Sequence, residues 1–132
     1  MKHIIKKILK EEINSKVINH ILNNLKSGRI KPPYIKNLVD LGLSDEEIEI
    51  VLSDYTNGKV NLKKRLIHNE KGNLIYGENN SNDEWIKWGY DERGNRIYNE
   101  NSDGDWYKKE YDDNDFLIYH ENSDEGVKID KR

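Results

Sequence analysis

The chain has no cysteine. Disulfides and thiolate metal sites are therefore excluded, and the composition fits a reducing compartment. It has no apolar run approaching the length of a membrane span. The opening residues, Met1 to Lys10, are basic and only partly apolar, without the continuous apolar stretch and small-residue cleavage site of a secretory signal. The expected location is the cytoplasm, with no membrane contact. A basic amphipathic helix on a membrane surface would share the pattern of residues 1–25, but so does a helix packed in a small bundle. None of His3, His20, His68 and His120 has a partner at metal-ligand helical spacing. A glycine-rich phosphate loop and a nucleophile–base set are missing too. The expectation is a protein that is not an enzyme and holds no cofactor and no metal. Aliphatic side chains are scarce beyond the first half, so tyrosine and tryptophan must supply apolar area there.

Charge is what the chain has in abundance. Charged residues make up 36% of it and apolar residues 34%, so much of the surface must be charged. The net charge of −3 conceals a split. Residues 1–65 hold 13 Lys/Arg against 8 Asp/Glu, a balance of +5, and residues 66–132 hold 9 against 17, a balance of −8. Either the two halves present different surfaces or they attract each other; a solvated acidic sheet is the plainer reading.

The first half has helical periodicity. Ile4, Ile5, Ile8, Leu9, Ile13, Val17, Ile18, Ile21, Leu22 and Leu25 keep one stripe apolar. Ser27-Gly28 is a stop signal, and Pro32-Pro33 opens a second helix carrying Ile35, Leu38 and Val39. Gly42 ends it. Ser44 and Glu47 form a capping-box signature for a third helix bearing Ile48, Val51, Leu52 and Tyr55, closed by Asn57-Gly58.

The second half repeats itself at a spacing of about 21 residues. The stretch from Tyr90-Asp91 to Ser102-Asp103 recurs from Tyr111-Asp112 to Ser123-Asp124, and a looser copy runs from His68 to Asn79. Gly, Asn and Asp sit where tight turns require them, and short alternating strands lie between. The expected fold is α+β: a helical bundle over residues 1–62, then an antiparallel β-meander over 63–132, built from three hairpin repeats of about 21 residues giving six or seven strands. Four-residue loops would pair Trp88 with Ile97. Alternation then gathers Ile86, Trp88, Tyr90, Ile97, Tyr107, Tyr111, Phe116 and Ile118 on a face expected to pack on the helices. Trp85, Tyr98, Trp106 and Tyr119, set among Lys87, Arg96, Glu100, Lys108, Glu110 and Glu121, fall on the face expected to be open.

The pattern Tyr90-Asp91-x-x-Gly94-Asn95-x-Ile97, echoed by Tyr111-Asp112-x-x-Asp115, resembles the YD repeats of RHS and teneurin-like proteins and the short YD-like arrays of small phage and prophage proteins. The resemblance covers residues 66–130 and implies β-hairpin architecture. Three copies are too few for the enclosing shells of the long arrays, and Asp115 stands where the turn glycine is expected.

Two motifs point toward chemistry and are outweighed by their surroundings. Residues 35–52 resemble a helix-turn-helix, yet Asp45, Glu46, Glu47, Glu49 and Asp54 would repel phosphates, which argues against sequence-specific DNA binding. Asn99-x-Asn101-x-Asp103-Gly104 with Glu110 approaches a calcium loop, but strands flank it and a hairpin turn explains the same residues. The leading expectation is a protein-binding inhibitor of phage or mobile-element type, an anti-CRISPR in its sharpest form. It would cover the basic groove of a host nucleic-acid-handling effector. Trp85, Tyr98, Trp106 and Tyr119 would supply contact area and Glu84, Asp103, Asp105, Asp112, Asp113 and Asp124 the charge. An immunity protein that binds a toxin and a carbohydrate-binding repeat module are the alternatives. Exposed sheet edges also allow a homodimer.

Overall fold

The computed structural model describes residues 15–132. The apolar positions expected at Ile4 to Ile13 lie outside the described residues. Residues 15–26 are helical and form α1. It stops at Ser27-Gly28, where Gly28 takes φ 78°, the left-handed conformation that glycine adopts without a Cβ penalty. Helix α2 spans Tyr34–Asp40 and α3 spans Asp45–Thr56. The capping box at the start of α3 is present: the Ser44 hydroxyl accepts from the Glu47 N–H at 3.2 Å, and the Glu47 carboxylate accepts from the Ser44 N–H at 2.9 Å. Asp45, Glu46 and Glu47 place negative charge on the first turn, where the helix dipole favours it. Asn57 closes α3 in the left-handed region at φ 52°.

Eight strands follow, one more than the upper expectation: β1 Lys59–Asn61, β2 Leu66–His68, β3 Leu74–Glu78, β4 Trp85–Tyr90, β5 Arg96–Asn101, β6 Trp106–Tyr111, β7 Leu117–Asn122 and β8 Gly126–Asp130. They form one antiparallel meander in chain order. The sheet begins at Lys59, ahead of residue 63. Ile67 of β2 and Tyr76 of β3 are buried in the same apolar cluster as Leu22, Leu25, Leu38, Ile48 and Leu52 of the helices. Helices and first strands thus share one core, and each such aliphatic side chain taken out of water contributes about 1.5–3 kcal/mol.

That core ends at β3. Among the described residues, none after Glu78 is fully buried. Strands β4–β8 form a single layer with half-buried side chains on both faces. Turns of one design hold the β2–β3, β4–β5 and β6–β7 hairpins in register. The Oδ1 atom of Asn69, of Asp91 and of Asp112 each accepts two backbone N–H groups, from the residues two and four further on, at 2.8–3.0 Å. Short polar side chains favour turns for this reason. Gly72 and Gly94 take φ 85° and 87° in the first two of these turns, and Asp115 takes φ 65° in the third. Its carboxylate compensates by accepting from Arg93 Nε at 2.6 Å and Asn95 Nδ2 at 2.8 Å, bridging to the preceding turn.

The register corrects the expected pairing. Trp88 lies opposite Asn99, not Ile97, because the turn from Asp91 to Asn95 is longer than four residues and a bulge follows Gly89. The shift is two residues, so alternation is preserved and the rings stay sorted as expected. Arg96 is the exception: the bulge sets it opposite Tyr90, with its guanidinium 5.4 Å from the Trp88 ring and 5.8 Å from Tyr90. Phe116, expected in the core, is exposed.

Candidate protein-binding face

The larger correction concerns which face meets the helices. The face bearing Trp85, Tyr98, Trp106 and Tyr119 was expected to be open throughout. It is the face on which α2 sits, but only at its β2–β4 end. The Ile86 and Trp88 face points away and floors an open groove of about 680 Å³ with Leu66 and Gly77.

Helix ends leave backbone N–H groups without partners, and the α2 N-cap, Pro33, makes no side-chain cap bond. The sheet supplies the acceptors. The Tyr34 N–H donates to the Tyr76 hydroxyl at 2.8 Å. The Ile35 and Lys36 N–H groups donate to the two carboxylate oxygens of Glu78 at 2.5 and 3.1 Å. Tyr76 donates its own proton to Glu78 at 2.6 Å, and Lys87 donates to the Tyr34 hydroxyl at 2.7 Å. Arg65 lies 3.5 Å from the buried Glu78 carboxylate. Burial, reinforced by the Glu78 charge, pushes the Tyr76 hydroxyl far above the ordinary tyrosine range. Trp85, opposite Glu78, packs against the core.

The same arrangement recurs along the face. Tyr76 pairs with Lys87 and Glu78 with Trp85; two strands on, Tyr98 pairs with Lys108 and Glu100 with Trp106. Tyr98 donates to Glu100 at 2.6 Å, and the Lys108 ammonium lies 5.3 Å from the Trp106 ring. Burial, then the bond to Glu100 and its charge, pushes Tyr98 up to about 12. Among the described residues no helix N–H bonds this second set, although Tyr98 shares the edge of a cavity with Tyr34 and Tyr55 of the helices. In the third, Tyr119 donates to Glu121 at 3.0 Å, but Asp130 and Val127 replace the Lys and Trp partners. Arg132 covers that ring at 3.9 Å and reaches Glu110 at 3.7 Å.

The acidic candidates do not gather on this face. Glu84, Asp103, Asp105 and Asp124 lie in the β3–β4, β5–β6 and β7–β8 turns along one end of the sheet, beside Asp83 and Glu125. Those turns contain no Lys or Arg. Asp112 and Asp113 lie at the opposite end, in the β6–β7 turn, where Arg93 lies 3.6 Å from Asp113 and bonds the Asp112 carbonyl. With six-residue strands between them, the two rows stand roughly 20 Å apart. Sequence reasoning treated Glu100, Lys87 and Lys108 as charges between the rings and gave Glu78 no role. The signal that would have found them is the recurrence of Tyr-x-Glu at residues 76, 98 and 119 and of Trp-x-Lys at 85 and 106.

The two outweighed motifs resolve as structure. Helices α2 and α3 join through a tight turn in which Gly42 takes φ 89°. Asn101 Oδ1 accepts from the Asp103 and Asp105 N–H groups at 3.0 and 3.2 Å, which makes the calcium-like segment a hairpin turn. Among the described residues no group of His, Asp or Glu is arranged to hold a metal ion, and no helix is long and apolar enough to cross a membrane. No protein-family model, no curated protein and no solved structure matches the chain, so the YD-repeat resemblance rests on its residues alone.

Proposed function

We propose that the chain is a non-catalytic protein-binding inhibitor, of the type that phages and other mobile elements carry, and that the uncovered face of β5–β7 is its contact surface. One observation carries the reading: this face already binds a protein element, α2, at its first Tyr-Glu-Trp-Lys set, and repeats the set two strands on with no backbone N–H of the described residues bonded to its glutamate. Rings held by neighbouring charges lose little side-chain freedom on binding, as interface anchors do. Trp85, packed against the core, supports α2, while Tyr98 and Trp106 are left to the partner and Tyr119 lies under Arg132. The row of Glu84, Asp103, Asp105 and Asp124, which forms no ion pair among the described residues, favours a partner with a basic rim and speeds its approach. A host effector that handles nucleic acid has such a rim, and occluding it would make the protein an anti-CRISPR. Hairpin repeats of YD type are the device that extends the platform beyond the core. Packing of Trp85 against the core and the placement of Lys108 over Trp106 favour a protein partner over a stacked sugar. The outer edge of β8 offers a separate route to self-pairing.

The test is affinity capture from a host lysate with the unaltered protein and with a Tyr98→Ala/Trp106→Ala variant. A basic, nucleic-acid-handling protein retained by the first and lost by the second is the expected result. Equal retention by both contradicts the reading.

A further inference from the structure

We infer that the second set, Tyr98, Glu100, Trp106 and Lys108, receives the N-terminal turn of an α-helix from the partner. The inference rests on the protein-binding reading above and names what the partner must present. Its basis is internal. The first set caps α2 with a hydroxyl and a carboxylate on three successive backbone N–H groups. The second set has the same residue types, the same cross-strand register and the same 2.6 Å tyrosine-to-glutamate bond. Its carboxylate accepts from no backbone N–H of the described residues.

Geometry and charge fit the same occupant. Sets two strands apart are separated by roughly 10 Å, since neighbouring strands lie about 4.8 Å apart. Packed helices lie about 8–10 Å apart, so a helix on the second set would sit beside α2 at ordinary packing distance. Lys87 stands between the sets, opposite both Tyr76 and Glu100. The positive end of a helix dipole complements Glu100. The partner helix this site selects has no Ser, Thr, Asp or Asn as its own cap and has an aromatic residue at its first helical position, as α2 has Pro33 and then Tyr34. The third set differs, because Arg132 already covers Tyr119.

The test uses the full chain, labelled with ¹⁵N, and a synthetic helical peptide that opens Pro-Pro-Tyr-Ile-Lys and continues in alanine-rich helix. Peptide binding is expected to shift the Tyr98 and Glu100 amides and the Trp106 indole. Glu100→Gln should weaken it at least ~5-fold, about what one lost cap is worth, and Glu84→Gln less than ~2-fold. Both variants should keep the melting temperature of the unaltered protein. A peptide carrying its own aspartate cap should bind at least ~5-fold more weakly. Absence of shifts at the set, or equal binding by Glu100→Gln, overturns the inference. So do the same shifts on raising protein concentration without peptide, which give the site to a second copy. A Trp106 indole already shielded from a quencher in the free chain gives it to the chain itself. If the peptide fails while Trp106→Ala still releases a captured basic partner, this inference falls and the proposed function stands.

Discussion

The helices with β1–β3 keep a set of apolar side chains dry, whereas β4–β8 keep none fully buried. The same Tyr-x-Glu pair occurs in both regions. Under α2 it is part of the fold: Glu78 is buried and its carboxylate accepts from two backbone N–H groups as well as from the Tyr76 hydroxyl. In β5 it is a half-buried surface feature, with a carboxylate that among the described residues is bonded by Tyr98 alone. Identical local chemistry thus serves stability where something covers it and remains available where nothing does. The covered region sets how strongly the chain folds, and the uncovered one sets what it can meet.

Substitutions can break this contrast, beginning with the core. Leu38→Ala, at a fully buried position, should cost about 2–5 kcal/mol in denaturant unfolding and carry the whole sheet with it. A matched pair of changes sharpens the comparison. Glu78→Gln removes a charged acceptor from buried donors and should cost about 1.5–3 kcal/mol. Glu100→Gln should stay within about 0.5 kcal/mol, because the half-buried carboxylate satisfies no backbone donor of the described residues. Equal costs would show that the second set is as structural as the first. Asp112→Ala deletes the acceptor for two turn N–H groups and should cost about 1 kcal/mol, read as faster amide exchange in β6 and β7 with α3 unchanged.

The smallest effect is a pH dependence. Tyr98 has its ionisation raised in the folded state, so its contribution is complete below the ordinary tyrosine value near pH 10 and is lost as pH rises through about 12. The pair is only half-buried, and solvent screening limits the loss to under about 1 kcal/mol. Tyr98→Phe should flatten that part of the alkaline stability curve and remove one late tyrosinate from the absorbance titration.

Much of the fold was legible because local rules governed it. Ser44 with Glu47, Gly28, Gly42 and Asn57 mark helix ends by short-range physics, and the Asp and Gly turns define the hairpins. Strand alternation survived a loop one residue longer than expected because the bulge added a second residue, making the total shift two and not one. The face that meets the helices was not legible. That choice depends on α2 lacking a cap of its own and on Glu78 reaching across from another strand, a contact between residues more than forty apart. Counting rings and aliphatic residues favoured the Ile86 and Trp88 face; unsatisfied N–H groups decided for the other. The acidic residues misled for a related reason. Net charge says how many carboxylates there are, and turn positions put them at the sheet's two ends.

The adjacent residues Trp106 and Tyr107 point to opposite faces of the same strand, so one calorimetric comparison reaches the central claim. Once a captured partner is in hand, Trp106→Ala should weaken its binding at least ~30-fold, the loss expected of an interface anchor, and Tyr107→Ala by less than ~3-fold. The reverse order, or equal losses, would contradict the assignment of the binding surface to the helix-side face.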